Sequence, residues 1–350
     1  MTIYESKDWI QALDQELNAL DLHSLAGKKI LVTGSTGLIC SAVIDLLIRW
    51  NEKNNEKIII AAAGREKRKI ESRFGRFLEK EWFDFAEYDA TKELHFDGFR
   101  YDFIIHGAGN AAPGNIAAEP VETMVSNFTG LKNLLDYALK EGTERVLYIS
   151  SSEVYGKKEN NEPFSEEEYG FVDILNPRNS YSVGKRAAET LCVSYGKEYG
   201  VNSVIVRPGH IYGPTATPTD NRVSSAWVYD VAKGKNIVMK SEGNQIRSYC
   251  HCLDCATAIL TVLLKGESLK AYNISNPESV ITIKQMAEIL TRVSGTGLLF
   301  ELPTEAEKSG FNPMNNSSLD SISLRSLGWN GIFDAARGFE HTFRIVKQLL

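Results

Sequence analysis

The amino-acid sequence predicts an α/β fold, a doubly wound parallel sheet joined to a smaller C-terminal domain. Short apolar runs of strand length recur at "KKILVTG", "KIIIAAAG", "YDFIIHGAG", "ERVLYISSS" and "VNSVIVRPG". Segments long enough for helices lie between them: "SAVIDLLIRWN", "PVETMVSNFTGLKNLLDYALKEG" and "YSVGKRAAETLCVSYGKEYG". Strand alternating with helix gives a parallel sheet covered on both faces. After about residue 208 the alternation weakens into shorter apolar pieces between polar loops, "RPGHIYGPTATPTDNRVSS" and "EAEKSGFNPMNNSS". That change marks the smaller domain.

Taken in order, residues 5–25 place Trp9, Ile10, Leu13, Leu17 and Leu20 near helical spacing, which predicts an amphipathic helix ahead of the sheet. Residues 1–26 form this extension, 27–207 the sheet domain, and 208–350 the smaller domain with some segments returning to the sheet. A chain of 350 residues with 43% apolar and 24% charged residues buries a substantial core. Its net charge of -6 and lack of a long Lys/Arg block argue against nucleic acid or an anionic membrane as main partner. The apolar runs are too short to span a bilayer, and "MTIYESKDW" has no secretory pattern, so the expected location is cytoplasmic.

The odd count of five cysteines does not suggest a disulfide framework. "CHCLDC" superficially resembles a zinc knuckle. In a strand over 248–252, however, Cys250 and Cys252 face away from His251, and no second ligand pair exists elsewhere. These cysteines are read as buried small hydrophobes, and no metal is expected.

"VTGSTGLICSAVIDLLI" reads as strand, glycine turn and helix. Gly34 permits the tight turn, and Gly37 lets backbone N–H groups approach a pyrophosphate at the helix start, with Thr36, Leu38 and Ile39 around it. This is the logic of a Rossmann-type dinucleotide site. The position of the usual third glycine is Cys40, which is expected to push the helix outward. The second strand ends "AAAGREKRK" with no carboxylate at its tip for the ribose hydroxyls of NAD. Arg65 stands there instead, suited to the 2′-phosphate of NADP or to stacking in solvent on adenine; both readings stay open. Asp89, followed by Ala90, is a candidate adenine contact or a plain loop carboxylate.

In "SYSVGKRAAE", Tyr181 and Lys185 project from one helix face. A neighbouring ammonium and an oxidised nicotinamide would pull the phenol's pKa from about 10 toward neutrality, making it a base for a sugar or alcohol hydroxyl. The Ser-rich strand end "ISSSEVYG" lies upstream, at a separation that lets hydroxyl, phenol and amine converge.

Thr33–Cys40, "SSSEVYG", Tyr181-x-x-x-Lys185, "RPGHIYGP" and "GNQIRSYCHCLDCA" occur in an order that resembles the extended short-chain dehydrogenase/reductases, the NAD-dependent epimerases, dehydratases and decarboxylases of nucleotide sugars. The resemblance covers roughly 29–345. "GNAAPGNIAAEPVETMVSNFTGLKNLL" and "SYSVGKRAAET" look most like the UDP-glucuronate decarboxylases, the UDP-xylose synthases.

The resemblance implies that a sugar is oxidised at C4 by bound NAD, with NADP as the alternative. A C5 carboxylate then belongs to a β-keto acid. By resemblance Ser151 bonds the C4 oxygen, Tyr181 is the base, and Lys185 lowers its pKa and holds the nicotinamide ribose. Ser152 and Glu153 orient the sugar around C5, Arg247 binds phosphate or carboxylate, and Asn127 touches the diphosphate. The dehydratases carry an aspartate where Ser152 stands; loss of CO2 needs no such acid, so decarboxylation is the expected reaction. His210 replaces a common asparagine, and no arginine precedes Asp320 in the late segment, so substrate and base recognition are expected to differ. Alternatives are a 4,6-dehydratase, a 4-epimerase, an NADPH-dependent keto-sugar reductase, or a catalytically silent dinucleotide-binding module. The resemblance also implies a homodimer through helices 120–141 and 181–199.

Overall fold

The computed structural model describes residues 2–94, 96, 99–109, 111, 113–304 and 314–350. The predicted polar loop over 305–318 therefore falls largely outside the described residues, as do two positions of the proline-containing loop, Asn110 and Ala112.

Helix α1 runs Lys7–Leu17, shorter than the predicted 5–25, with single 3₁₀ turns at Ile3–Glu5 and His23–Leu25. Ser6 starts it by accepting the Trp9 N–H. The sheet then builds from β1 (Lys29–Thr33), α2 (Leu38–Lys53), β2 (Ile59–Gly64), α3 (Lys67–Phe74), β3 (Phe83–Glu87) and β4 (Phe103–His106). It continues through α4 (Pro113–Ala118), α5 (Pro120–Glu141), β5 (Arg145–Ile149), α6 (Ser180–Tyr199) and β6 (Ser203–Pro208).

Next come β7 (His210–Tyr212), α7 (Val223–Ala232), β8 (Ile237–Met239), β9 (Ile246–His251), α8 (Cys252–Lys265) and β10 (Ala271–Ile274). After them stand β11 (Val280–Thr282), α9 (Ile283–Ser294) and β12 (Leu298–Phe300), and the chain ends in a helix over Ala335–Leu349.

Among the described residues seven strands form one sheet in the order β10-β6-β5-β4-β1-β2-β3, with every pairing parallel. The winding reverses between β1 and β4, and ligands of such sheets bind beyond the strand ends at that reversal. Alternate residues feed two cores. Val32, Ile105, Leu147 and Val206 pack with α2, α3 and α8, whereas Leu31, Ile104, Tyr148 and Ile205 pack with α5 and α6. The strand β10 returns to the sheet from beyond residue 208.

A third core, with Tyr212, Val228, Ile237, Met286, Leu290 and Phe339, joins α7, α9 and the C-terminal helix to the small sheets β11-β9-β7 and β12-β8. Cys252 does not continue the strand as the sequence pattern suggests. It opens α8, where His251 caps the helix by accepting the Leu253 N–H on Nδ1. Cys250, Cys252 and Cys255 are all fully buried in the apolar core.

Helix α1 covers α2, α8 and the C-terminal helix. Trp9 Nε1 donates to Asp45 Oδ2 at 3.2 Å, Arg49 bridges both Asp14 oxygens at 2.9 Å, and His341 Nε2 meets the Asp8 carbonyl at 3.3 Å. It thus caps the sheet face opposite α5 and α6.

Candidate active site

The glycine turn after β1 meets the end of β4. Gly34 has φ +69°, and a β-carbon there would stand 2.8 Å from the Gly107 carbonyl oxygen, so the position needs glycine for both conformation and space. Gly37 is the exposed N-cap of α2 and brings no side-chain cap, which leaves the N–H groups beginning at Leu38 and Ile39 open to an anion. Thr36 is half-buried in the same turn. These residues fit a dinucleotide pyrophosphate.

Cys40 does not force the helix outward as its size suggests. Its Sγ occupies room left by Gly107, where any β-carbon would collide with it. Arg65 is exposed at the β2 tip; Asp89 is half-buried past β3, and Ala90 is buried against Gly130 of α5.

The three residues predicted to converge do so. Strand β5 delivers Ser151 as the N-cap of a 3₁₀ turn over Ser152–Tyr155, where its Oγ accepts the Glu153 N–H at 3.2 Å. Helix α6 starts just beyond, and Tyr181 hydrogen-bonds Ser151 from its first turn. Lys185, one turn on, donates Nζ to the Ile149 carbonyl at 2.7 Å, 4.6 Å from the Tyr148 ring centre. Among the chain's own groups burial dominates the titration. It raises Tyr181 to about 12, with Glu153 adding to the rise and Ser151 and Arg222 opposing it, and it lowers Lys185 to about 7. The ammonium alone therefore does not bring the phenol toward neutrality.

Glu153 accepts from Ser182 Oγ at 3.2 Å and faces Arg178 at 3.6 Å, while the half-buried Ser152 heads the same turn. Neither Arg178 nor Ser182 was apparent in the sequence pattern. The one signal for Arg178 is its place between Pro177 and the Tyr181 helix.

The C-terminal part closes over this edge. Thr215 Oγ1 donates to the Leu38 carbonyl at 2.7 Å, pinning the "GPTATP" loop to the glycine turn. His210 and Arg247 come from neighbouring strands β7 and β9. Burial, and then the charges of Arg247 and Arg222, lower His210 to about 3, so the ring is neutral, and its buried Nδ1 has no partner among the described residues. Arg247 is 4% exposed and donates only to the carbonyls of Ile246 and Met314; no carboxylate pairs with it among the described residues. Arg222, held by both oxygens of Asp220, acts on Tyr181 as well as His210. It was missed because only the fold brings the charge of residue 222 within reach of residue 181.

Asn127 is fully buried under Gly109 and Gly184. Its Nδ2 donates to the Thr123 carbonyl at 2.7 Å, which leaves the buried Oδ1, an acceptor, without a partner among the described residues. Among the described residues no group of three His, Cys, Asp or Glu side chains is placed to hold a metal.

A seven-stranded parallel sheet with a glycine turn at its reversal and a Ser–Tyr–Lys set beside it defines a dinucleotide-dependent enzyme class of the short-chain dehydrogenase/reductase type. Residues 30–275 match the NAD dependent epimerase/dehydratase family, and the chain belongs to it. It is 32% identical over 301 residues to UDP-glucuronic acid decarboxylase 6 of Arabidopsis thaliana, covering 86% of this chain and 83% of that protein. It is 28% identical over 323 residues to UDP-glucuronic acid decarboxylase 1 of Xenopus tropicalis, covering 92% and 73%. In fold it is similar to UDP-glucose 4-epimerase of Thermotoga maritima, with TM-score 0.77 at 22% identity, covering 92% of this chain and 99% of that one.

Proposed function

We propose that this chain decarboxylates a UDP-glucuronate-like nucleotide sugar through transient oxidation at C4. The observation that carries the reading is Ser152 beside Glu153, in a site that otherwise holds the complete Ser151–Tyr181–Lys185 set. Expelling a C6 hydroxyl needs a strong general acid there, and loss of CO2 does not. The decarboxylase relatives support the same choice.

Bound NAD supplies the hydride acceptor at C4 and a positive charge beside the phenol. Tyr181 takes the C4 hydroxyl proton, with Ser151 bonding the same oxygen. The C5–C6 bond then breaks, CO2 leaves, and its electron pair passes toward the C4 oxygen, where protonated Tyr181 and Ser151 hold the developing charge. Glu153, set by Arg178 and Ser182, manages the proton that C5 takes in place of CO2. Arg247 and Arg222 supply cations for the diphosphate and carboxylate. Asn127 packs under Gly109, and its free atom, an acceptor, suits a diphosphate poorly. In this reading 27–207 carries the dinucleotide, and most of 208–350 the substrate.

Mass spectrometry of products from UDP-glucuronate and NAD tests the reaction. Loss of one CO2 without net NADH release is expected. Unchanged substrate with dinucleotide still bound overturns the assignment, and NADPH consumption with a 4-keto sugar would establish the reductase reading that Arg65 favours.

The proposal includes a cytoplasmic homodimer working in carbohydrate biosynthesis. Among the described residues no helix is long and apolar enough to cross a membrane. Val121, Met124, Val125 and Phe128 repeat at helical spacing on the exposed face of α5, each at least 40% exposed, which supports pairing there. Sedimentation of Val125→Asp should show the monomer.

A further inference from the structure

We propose that the adenosine end of this site accepts a 2′-phosphorylated ribose, so that the chain binds NADP(H) at least as tightly as NAD(H). The inference rests on reading the Gly34–Ile39 turn as the dinucleotide site. Strand register puts Thr33 opposite Ala63, which sets the tip of β2 beside the glycine turn. Ser35 fixes the two together, donating its N–H at 3.3 Å and its Oγ at 2.9 Å to the Ala63 carbonyl. The first side chain past Gly64 is Arg65, exposed and without a hydrogen bond or ion pair among the described residues.

Preference for an unphosphorylated ribose comes from a free carboxylate at this tip, which bonds the hydroxyls and repels a phosphate. The nearby carboxylates are engaged or turned away. Glu66 is held by Arg68 at 2.9 Å and by Lys69 at 2.5 Å. Asp89 Oδ1 accepts both the Thr91 N–H at 3.0 Å and its hydroxyl at 2.8 Å, while Oδ2 faces Lys92 at 3.7 Å. Glu87, in register with Gly64, shares with Phe85 the face of β3 that packs toward α3.

Arg65 and Lys67 remain as cations without a carboxylate partner among the described residues, and a guanidinium matches a phosphate in charge and geometry. The charge of Arg65 also acts on Asp89, past the neighbouring strand β3. A dinucleotide that stays bound through a turnover gives back the hydride it takes, so the phosphorylated form serves the proposed reaction equally well.

The test is calorimetric titration of the purified chain with NAD and with NADP, after heat release and mass spectrometry identify any dinucleotide that copurifies. The expected Kd for NADP is equal to or below that for NAD. In Arg65→Ala the ratio Kd(NAD)/Kd(NADP) should fall about tenfold, the scale of one charge-assisted contact, and in Arg65→Asp it should fall further. NADP binding ten times or more weaker than NAD, or a ratio unmoved by Arg65→Ala, overturns the proposal while leaving the dinucleotide site intact. Failure of both dinucleotides to bind, with none copurifying, removes the site itself and the proposal with it.

Discussion

Cys40 Sγ fills the space that Gly107 leaves open, so the small residue needed for close packing of α2 on the sheet has moved from the helix to the end of β4. The two positions form a complementary pair. Gly107→Ala would drive a methyl group into Cys40 and to within 3.1 Å of Ile149 Cδ1, and is expected to cost about 1–3 kcal/mol. Adding Cys40→Gly should recover part of that loss. Urea unfolding of the single and double variants measures the coupling, and strictly additive losses would show that the pair is independent.

Lys185 gives a pH signature. Burial lowers its pKa to about 7 from the ordinary 10.5, so the fold favours the neutral amine. The associated stability is fully present above about pH 10.5 and is lost as pH falls toward 7. Between those limits wild type should gain on Lys185→Met by up to about 1.4 kcal/mol per pH unit. Unfolding free energies across pH 7.5–9.5 check this, and parallel curves would mean that the ammonium is not desolvated.

Much of this architecture was legible because it is local. Strand-helix alternation, a glycine where φ must be positive, and a Tyr–Lys pair one helical turn apart each leave a short pattern. The charge of Arg222 acting on Tyr181, Arg178 on Glu153 and the cover of Thr215 on Leu38 join distant segments and leave none. Cys252 was misread for a related reason. A buried strand running straight into a buried helix has no period that separates them.

The N-terminal helix docks through a buried carboxyl pair. Asp254 accepts N–H groups from Ile332 at 2.8 Å, Phe333 at 3.2 Å and Asn276 at 3.3 Å, whereas Glu16 has an oxygen with no partner among the described residues. Burial and then Asp254 push the Glu16 carboxyl well above its usual range. Its favourable contribution is complete below about pH 4.5 and lost as pH rises, so Glu16→Gln should stabilise the chain at pH 8, with no gain near pH 4. His251 and His341, both depressed by burial, act oppositely and lose stability as pH falls below about 6.5. A destabilised Glu16→Gln at pH 8 would show that the carboxylate is ionised and paired.

Ser152 separates the proposed reaction from its nearest competitor. Tyr181→Phe should lower kcat by a factor of about 10²–10⁴ while the dinucleotide stays bound, because it removes the proton acceptor and keeps the ring. That outcome is common to every chemistry on this scaffold. Ser152→Asp is not, since it puts a second carboxylate beside Glu153, where the proposed reaction places the substrate's own C6 carboxylate. Decarboxylation of UDP-glucuronate should fall at least about tenfold by like-charge repulsion. The same variant gains the acid needed to expel a C6 hydroxyl, so UDP-glucose should begin to lose water. Product masses from both substrates decide the matter. A wild-type chain that dehydrates UDP-glucose faster than it decarboxylates UDP-glucuronate would show that Ser152 does not set the reaction.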